Sequence, residues 1–193
     1  MKRPTRFIIA MVVLLVPLTL TGCGMSPDKT VAKFLDAFKA ADSREMSKYV
    51  LGGNASDIED FDDQDPEVAE VALSIRSKLT YSIHNPAIEG KTATVPVNIT
   101  SIDMPRLMAN LLPQMFSAAL AFAFGEDSGE SAEELSMRLT MNAINDPNVP
   151  MTTTRVNFPL TKERGKWLIV PNDELVVSLA NAITGNLADL FGE

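Results

Sequence analysis

The sequence predicts an α+β domain in which N-terminal helices pack on a strongly bent antiparallel sheet, followed by a helical insertion and a C-terminal helix. Three observations carry that reading. Apolar residues recur at helical spacing up to Ile75 and alternate from Leu79 to Ile99, and the same change of period returns after Pro150. Pro86 and Pro96 lie within the first alternating region, and neither can donate to a ladder, so they belong at bulges, bends or edges. Between the two alternating regions lies a helical stretch at about residues 103–150.

The chain opens with Lys2, Arg3 and Arg6, then an apolar run from Phe7 to Leu20 that Pro17 interrupts. The run is shorter than the roughly 20 apolar residues a membrane-spanning helix needs. Lys2-Arg3 is not an Arg-Arg pair, so a twin-arginine signal is a poor fit. Leu20-Thr21-Gly22-Cys23 then sets the only cysteine of the chain directly behind the run. This stretch resembles the lipobox of bacterial lipoprotein precursors. The resemblance implies cleavage between Gly22 and Cys23 and a diacylglycerol on the Cys23 thiol. Residues 1–22 would be the signal peptide and 23–26 a lipidated tether. The α+β domain would occupy 27–193. A chance cysteine behind an ordinary cleavage site is the competing reading, and the shared register of apolar run, small residues and Cys opposes it. Two acyl chains hold stably where one holds marginally, so no membrane helix is required.

The expected home is the cell membrane, lipid-anchored on the extracytoplasmic face. In a Gram-negative source, Gly24 after the cysteine would not retain the protein at the inner membrane, so the outer membrane is the alternative. With one cysteine, no disulfide within the chain is available. Three of the 17 Lys and Arg precede Cys23 and no acid does, which leaves 14 against 25 Asp and Glu, a net of −11 over 171 residues. That balance predicts repulsion from nucleic acid and from anionic headgroups. Gly24, Met25 and Ser26, at about 3.5 Å per residue, tether the domain within roughly 10 Å of the bilayer.

Within the domain, Ser26 precedes Pro27 at a helix start, and Val31, Phe34, Leu35 and Phe38 form one apolar stripe. Asp42 and Glu45 suggest a capping box for a second helix reaching Val50, stopped by Gly52-Gly53. Asp57 to Asp65 holds five Asp and one Glu, without the order or the central glycine of a calcium loop. Asp65-Pro66 opens a third helix, with Val68, Val71, Ala72 and Ile75 inward. A hairpin follows, turning at Glu89-Gly90-Lys91. Asp103 and Pro105 begin a long helix to Gly125, which Pro113 should kink or split. Beyond a polar loop at Glu126 to Glu130, Ser131 and Glu134 cap a helix to about Asn145. Thr154 to Leu160 and Lys166 to Val170 read as strands around a turn at Lys162-Glu163-Arg164-Gly165. Asn172 or Asp173 caps a last helix with Val176, Leu179, Ile183 and Leu187 inward.

Three stretches carry a wider resemblance: Thr30 to Asp42, Lys91 to Val97 running on to Asp103, and Val156 to Leu160 through Gly165-Lys166-Trp167 to Thr184-Gly185-Asn186. They resemble the cone-shaped fold shared by nuclear transport factor two, ketosteroid isomerase and scytalone dehydratase. More specifically, they are similar to uncharacterised Gram-positive lipoproteins with that fold. The resemblance implies a cone that encloses a pocket, with Phe34, Phe38, Tyr81, Met115 and Trp167 as candidate ligand-binding residues. The long insertion departs from the enzymes of that group.

Chemistry is sparse. The only histidine, His84, sits in a His-Asn-Pro bend, and its pairing with Asp103 is not demanded by spacing; Asp103 reads better as a helix cap. No Gly-x-Ser-x-Gly, glycine-rich phosphate loop or metal-ligand cluster is present in the sequence. No catalytic residue, metal or cofactor is therefore assigned beyond the lipid on Cys23. A small pocket enzyme of the isomerase or dehydratase type stands as the alternative on fold analogy alone. Met104, Met108, Met115, Met137 and Met141, with the run from Leu111 to Phe124, make a Met-rich helix pair. Such a pair either covers the sheet as core or adapts to an apolar ligand or an envelope protein. The main reading is a non-enzymatic binding or scaffolding module.

Overall fold

A computed structural model describes residues 24–54, 66–124 and 131–187. The lipobox, the acidic loop and the loop at Glu126 to Glu130 lie outside the described residues. In chain order the elements are α1 (Pro27–Lys39), α2 (Ser43–Ser47), α3 (Pro66–Lys78), β1 (Thr80–Ile83), β2 (Ala87–Glu89), β3 (Thr92–Ile102), α4 (Met104–Ala123), α5 (Ala132–Asn145), β4 (Met151–Glu163), β5 (Lys166–Ile169) and α6 (Asp173–Thr184). This is the α+β architecture the periodicity predicts.

The sheet runs β1-β3-β4-β5, antiparallel throughout, with β2 sharing the β1 edge of β3. Its spine is the β3–β4 ladder, paired without interruption from Thr92↔Thr161 to Ile102↔Met151. On the β1 edge the register slips. Four steps from Ile83 to Ala87 span three from Val97 to Thr94, which is one extra residue and therefore a bulge. Pro86 lies in that bulge. Pro96 faces it: its carbonyl accepts from the His84 N–H at 2.9 Å, so its donorless nitrogen also points where no ladder partner is required. Pro159 repeats the device on β4, accepting from Val170 N–H at 2.8 Å just past the end of β5. The prolines mark where the sheet bends, and the sheet is strongly curled.

Alternation sets the inner face. Ala93, Val95, Val97 and Ile99 of β3 and Val156, Phe158 and Leu160 of β4 are buried, while Thr100 and Thr153 bond each other on the outer, polar face at 2.7 Å. Against the inner face α1 packs Val31, Phe34 and Leu35, and Phe34 meets Phe158 edge to face at 6.2 Å. α6 adds Leu175 and Ala182, and its Ala182 carbonyl accepts from buried Ser101 Oγ at 2.6 Å. α6 ends at Gly185, whose φ of 61° is the left-handed C-cap glycine favours.

Several expectations need correction. The second helix stops at Ser47, because Tyr49 to Leu51 instead pair in parallel with β5, Ile169 N–H donating to Tyr49 O and Leu51 N–H to Ile169 O. The hairpin contains a third short segment, β2, created by the bulge. Pro113 does not split the long helix; α4 continues through it. Val176 is 58 % exposed, and its neighbour Leu175 takes the inward position. Leu179 and Ile183 pack inward as expected, and Leu187 is half-buried.

Candidate functional site

Among the described residues the concave face of the sheet is lined by packed aromatic side chains. Phe34 and Trp167 are buried in the main core, and Phe38 and Tyr81 pack against it from its rim. Arg76 lies over the Phe38 ring at 5.3 Å and Lys162 over the Trp167 ring at 5.6 Å. Tyr81 reaches across to α1, its hydroxyl donating to Asp36 Oδ1 at 2.6 Å. Burial, and then that hydrogen bond, push the Tyr81 phenol up to about 12. The structure thus gathers four of the five candidate ligand residues into one packed layer.

His84 and Asp103 are kept apart. His84 is exposed and its backbone is held opposite Pro96, whereas Asp103 follows the far end of β3. Seven residues at about 3.3 Å each separate them along the strand by roughly 23 Å. Asp103 instead caps α4, accepting from Arg106 N–H at 3.0 Å. Among the described residues no group of His, Cys, Asp and Glu is placed to hold a metal ion.

Met115, the fifth candidate, lies elsewhere. The insertion is an antiparallel helix pair whose base is packed and whose tip is not. Leu107 and Leu111 of α4 join Ile102 and Ile144 in a second buried cluster, with Val71 and Ile75 of α3 against it. The capping box is formed, Ser131 Oγ accepting from Glu134 N–H and Glu134 accepting from Ser131 N–H, so α5 starts cleanly beside the end of α4. Toward the tip, Met115, Ala118, Ala119 and Phe122 of α4 face Leu135 and Leu139 of α5 across an open groove of about 130 Å³. The alanines leave that space, since their methyls fill less than the Met and Leu side chains that flank them.

Outside the groove runs a ridge. Met108, Leu112, Phe116, Leu120 and Phe124 stand at successive four-residue intervals, and their exposures run from 43 % to 82 %. One Met, two Leu and two Phe on a single i, i+4 ridge form an exposed apolar strip of the kind that marks interaction sites. Of the two readings the sequence leaves open for this run, core holds only at its base, where Leu107 and Leu111 are buried. The available signal was the loop-flanked position of the run: the tip of a helical hairpin has no sheet beneath it.

No family model matches the chain, and no curated protein matches it. Among solved structures, the chain is similar to a putative lipoprotein, ycdA, from Bacillus subtilis subsp. subtilis str. 168. The TM-score is 0.54 at 13% identity, over 81% of this chain and 55% of that one. The chain thus spans about half the length of that protein, and the likeness is one of fold.

Proposed function

We propose that this protein is a lipid-anchored lipoprotein of the cell envelope whose domain binds an apolar ligand or an envelope protein through the α4–α5 hairpin, without catalysis. The anchoring half rests on Leu20-Thr21-Gly22-Cys23 behind a short apolar leader, with diacylglycerol on Cys23. It accords with the lipoprotein description of the ycdA protein whose fold this chain shares. No helix among the described residues is long and apolar enough to cross a membrane.

One observation carries the binding half: the apolar residues of the insertion's tip are exposed while those of the concave face are packed. Exposed Leu112, Phe116 and Phe124 forgo burial that would contribute about 1.5–3 kcal/mol each, so a partner that covers them recovers that term. The adaptable Met side chains at its base and groove suit an irregular apolar surface. Nucleic acid is a poor partner for a chain of this charge.

Native mass spectrometry of the protein purified from cells tests this reading. The expected spectrum carries a co-purified apolar molecule or protein that is lost on Phe116→Ser/Leu112→Ser substitution. Bare polypeptide for the parent chain, with no binding of apolar dyes, would remove the binding reading. Partition into detergent, lost in Cys23→Ser, checks the anchor separately.

A further inference from the structure

The end of the sheet that carries the anchor is basic, although the protein is strongly acidic. Gly24 lies against the β4–β5 turn so closely that a Cβ there would sit 2.6 Å from the Gly165 carbonyl oxygen. Gly24 directly follows Cys23 in the chain. The same end of the sheet holds the β2–β3 turn, since Lys162 N–H donates to Lys91 O at 2.8 Å. Lys91, Lys162, Arg164 and Lys166, on or beside these two turns, are all exposed, against Glu89 and Glu163. Four cations stand against two anions here, while the rest of the chain after Cys23 holds 10 Lys and Arg against 23 Asp and Glu.

We propose that this basic end is a docking surface for anionic phospholipid headgroups, which seats the β4–β5 and β2–β3 turns on the bilayer that holds the lipid on Cys23. The proposal rests on the anchoring reading and adds to it a direction. A tether alone leaves the domain free to tumble. Cations around its root hold one face down. β3 runs away from this face, and α4 begins directly after its far end, roughly 33 Å of strand contour at about 3.3 Å per residue. The base of the α4–α5 hairpin therefore lies at the end of the sheet opposite the seated turns.

The chain contains its own reporter, because its single tryptophan, Trp167, lies in β5 directly after Lys166. The full chain, processed in a bacterial host, is reconstituted on vesicles of phosphatidylcholine with or without phosphatidylglycerol, with a headgroup nitroxide lipid as quencher. Trp167 should be quenched more strongly on the anionic vesicles, and the excess should vanish in high salt. A Lys91→Gln/Arg164→Asn/Lys166→Gln variant should lose the excess. At about fivefold per cation, the three changes lower the docking equilibrium constant on the order of a hundredfold at low salt. Asn suits position 164, where φ is 47°. Equal quenching on both vesicles, or an unaltered variant, overturns the proposal while flotation of the chain with both vesicles leaves the anchor standing. A parent chain that floats with neither vesicle sinks the anchoring reading and the proposal together.

Discussion

Tyr49 and Tyr81 are the two tyrosines of the chain, and both phenols are pushed up to about 12. For Tyr49 the chief cause is the hydrogen bond to Glu45, with burial second; for Tyr81 burial comes first and the Asp36 bond follows. An unfolded tyrosine ionises near 10. The folded value lies above the unfolded one, so the folded chain binds these protons more tightly. Their contribution to stability is complete below about pH 10 and is lost as pH rises from there through about 12. Absorbance at 295 nm should accordingly stay flat through pH 10, and phenolate should appear only near pH 12 or together with unfolding. An ordinary tyrosine titration centred near pH 10 in the folded protein would contradict this geometry. Gly185 offers a second test. A Cβ there would stand 2.1 Å from Ile102 O and 2.9 Å from Asp103 Cα, at a φ of 61°. Gly185→Ala should cost more than the roughly 1 kcal/mol of left-handed strain alone, read as a lowered denaturation midpoint. This glycine joins α6 to the point where β3 hands over to α4, so the loss should be global.

At the scale of elements, the sheet was legible and the insertion was half legible. Alternating apolar residues betray a strand that buries one face, and Val95-Val97-Ile99 and Val156-Phe158-Leu160 do so without competition from helix spacing. Pro86 and Pro96 announced the bend because a missing N–H has few places to hide. What periodicity could not convey is which partner an element meets. Tyr49 to Leu51 leave the second helix to bridge β5, a contact between residues over a hundred positions apart. On α6, Leu175 and Val176 are both apolar neighbours at the helix start, and only packing on the sheet chooses between them. On α4 the apolar ridge has the composition of a core and lacks one, since burial depends on what lies opposite. The site is only half legible for that reason: the sequence marks Met115 and the run from Leu111 to Phe124 as apolar, but not whether Leu112, Phe116 and Phe124 meet a sheet or solvent. Pro113 on this exposed helix interrupts the backbone ladder, and Ser117 Oγ bonds its carbonyl at 2.9 Å. Pro113→Ala should strengthen the tip of α4 by about 1–3 kcal/mol, seen as amide exchange slowed roughly tenfold or more around residues 114–124. Unaltered exchange there would mean that the hairpin's order does not depend on its own helix.

In the whole molecule one curled sheet joins three regions. One end holds Gly24 and the exposed Lys91, Arg164 and Lys166, the middle is a core that includes Phe34 and Trp167 with Phe38 and Tyr81 packed against it, and the other end begins the helical hairpin. If the α4–α5 tip is covered by something apolar in the cell, photo-crosslinking in living cells will capture it. A photoreactive amino acid replaces Phe116 on the ridge or, as a control, Thr153 on the polar outer face of the sheet. A discrete crosslinked species, lipid or protein, from position 116 and not from 153 is the predicted result. Position 116 yielding no adduct, or the same diffuse pattern as 153, would contradict the claim and leave the hairpin without a partner.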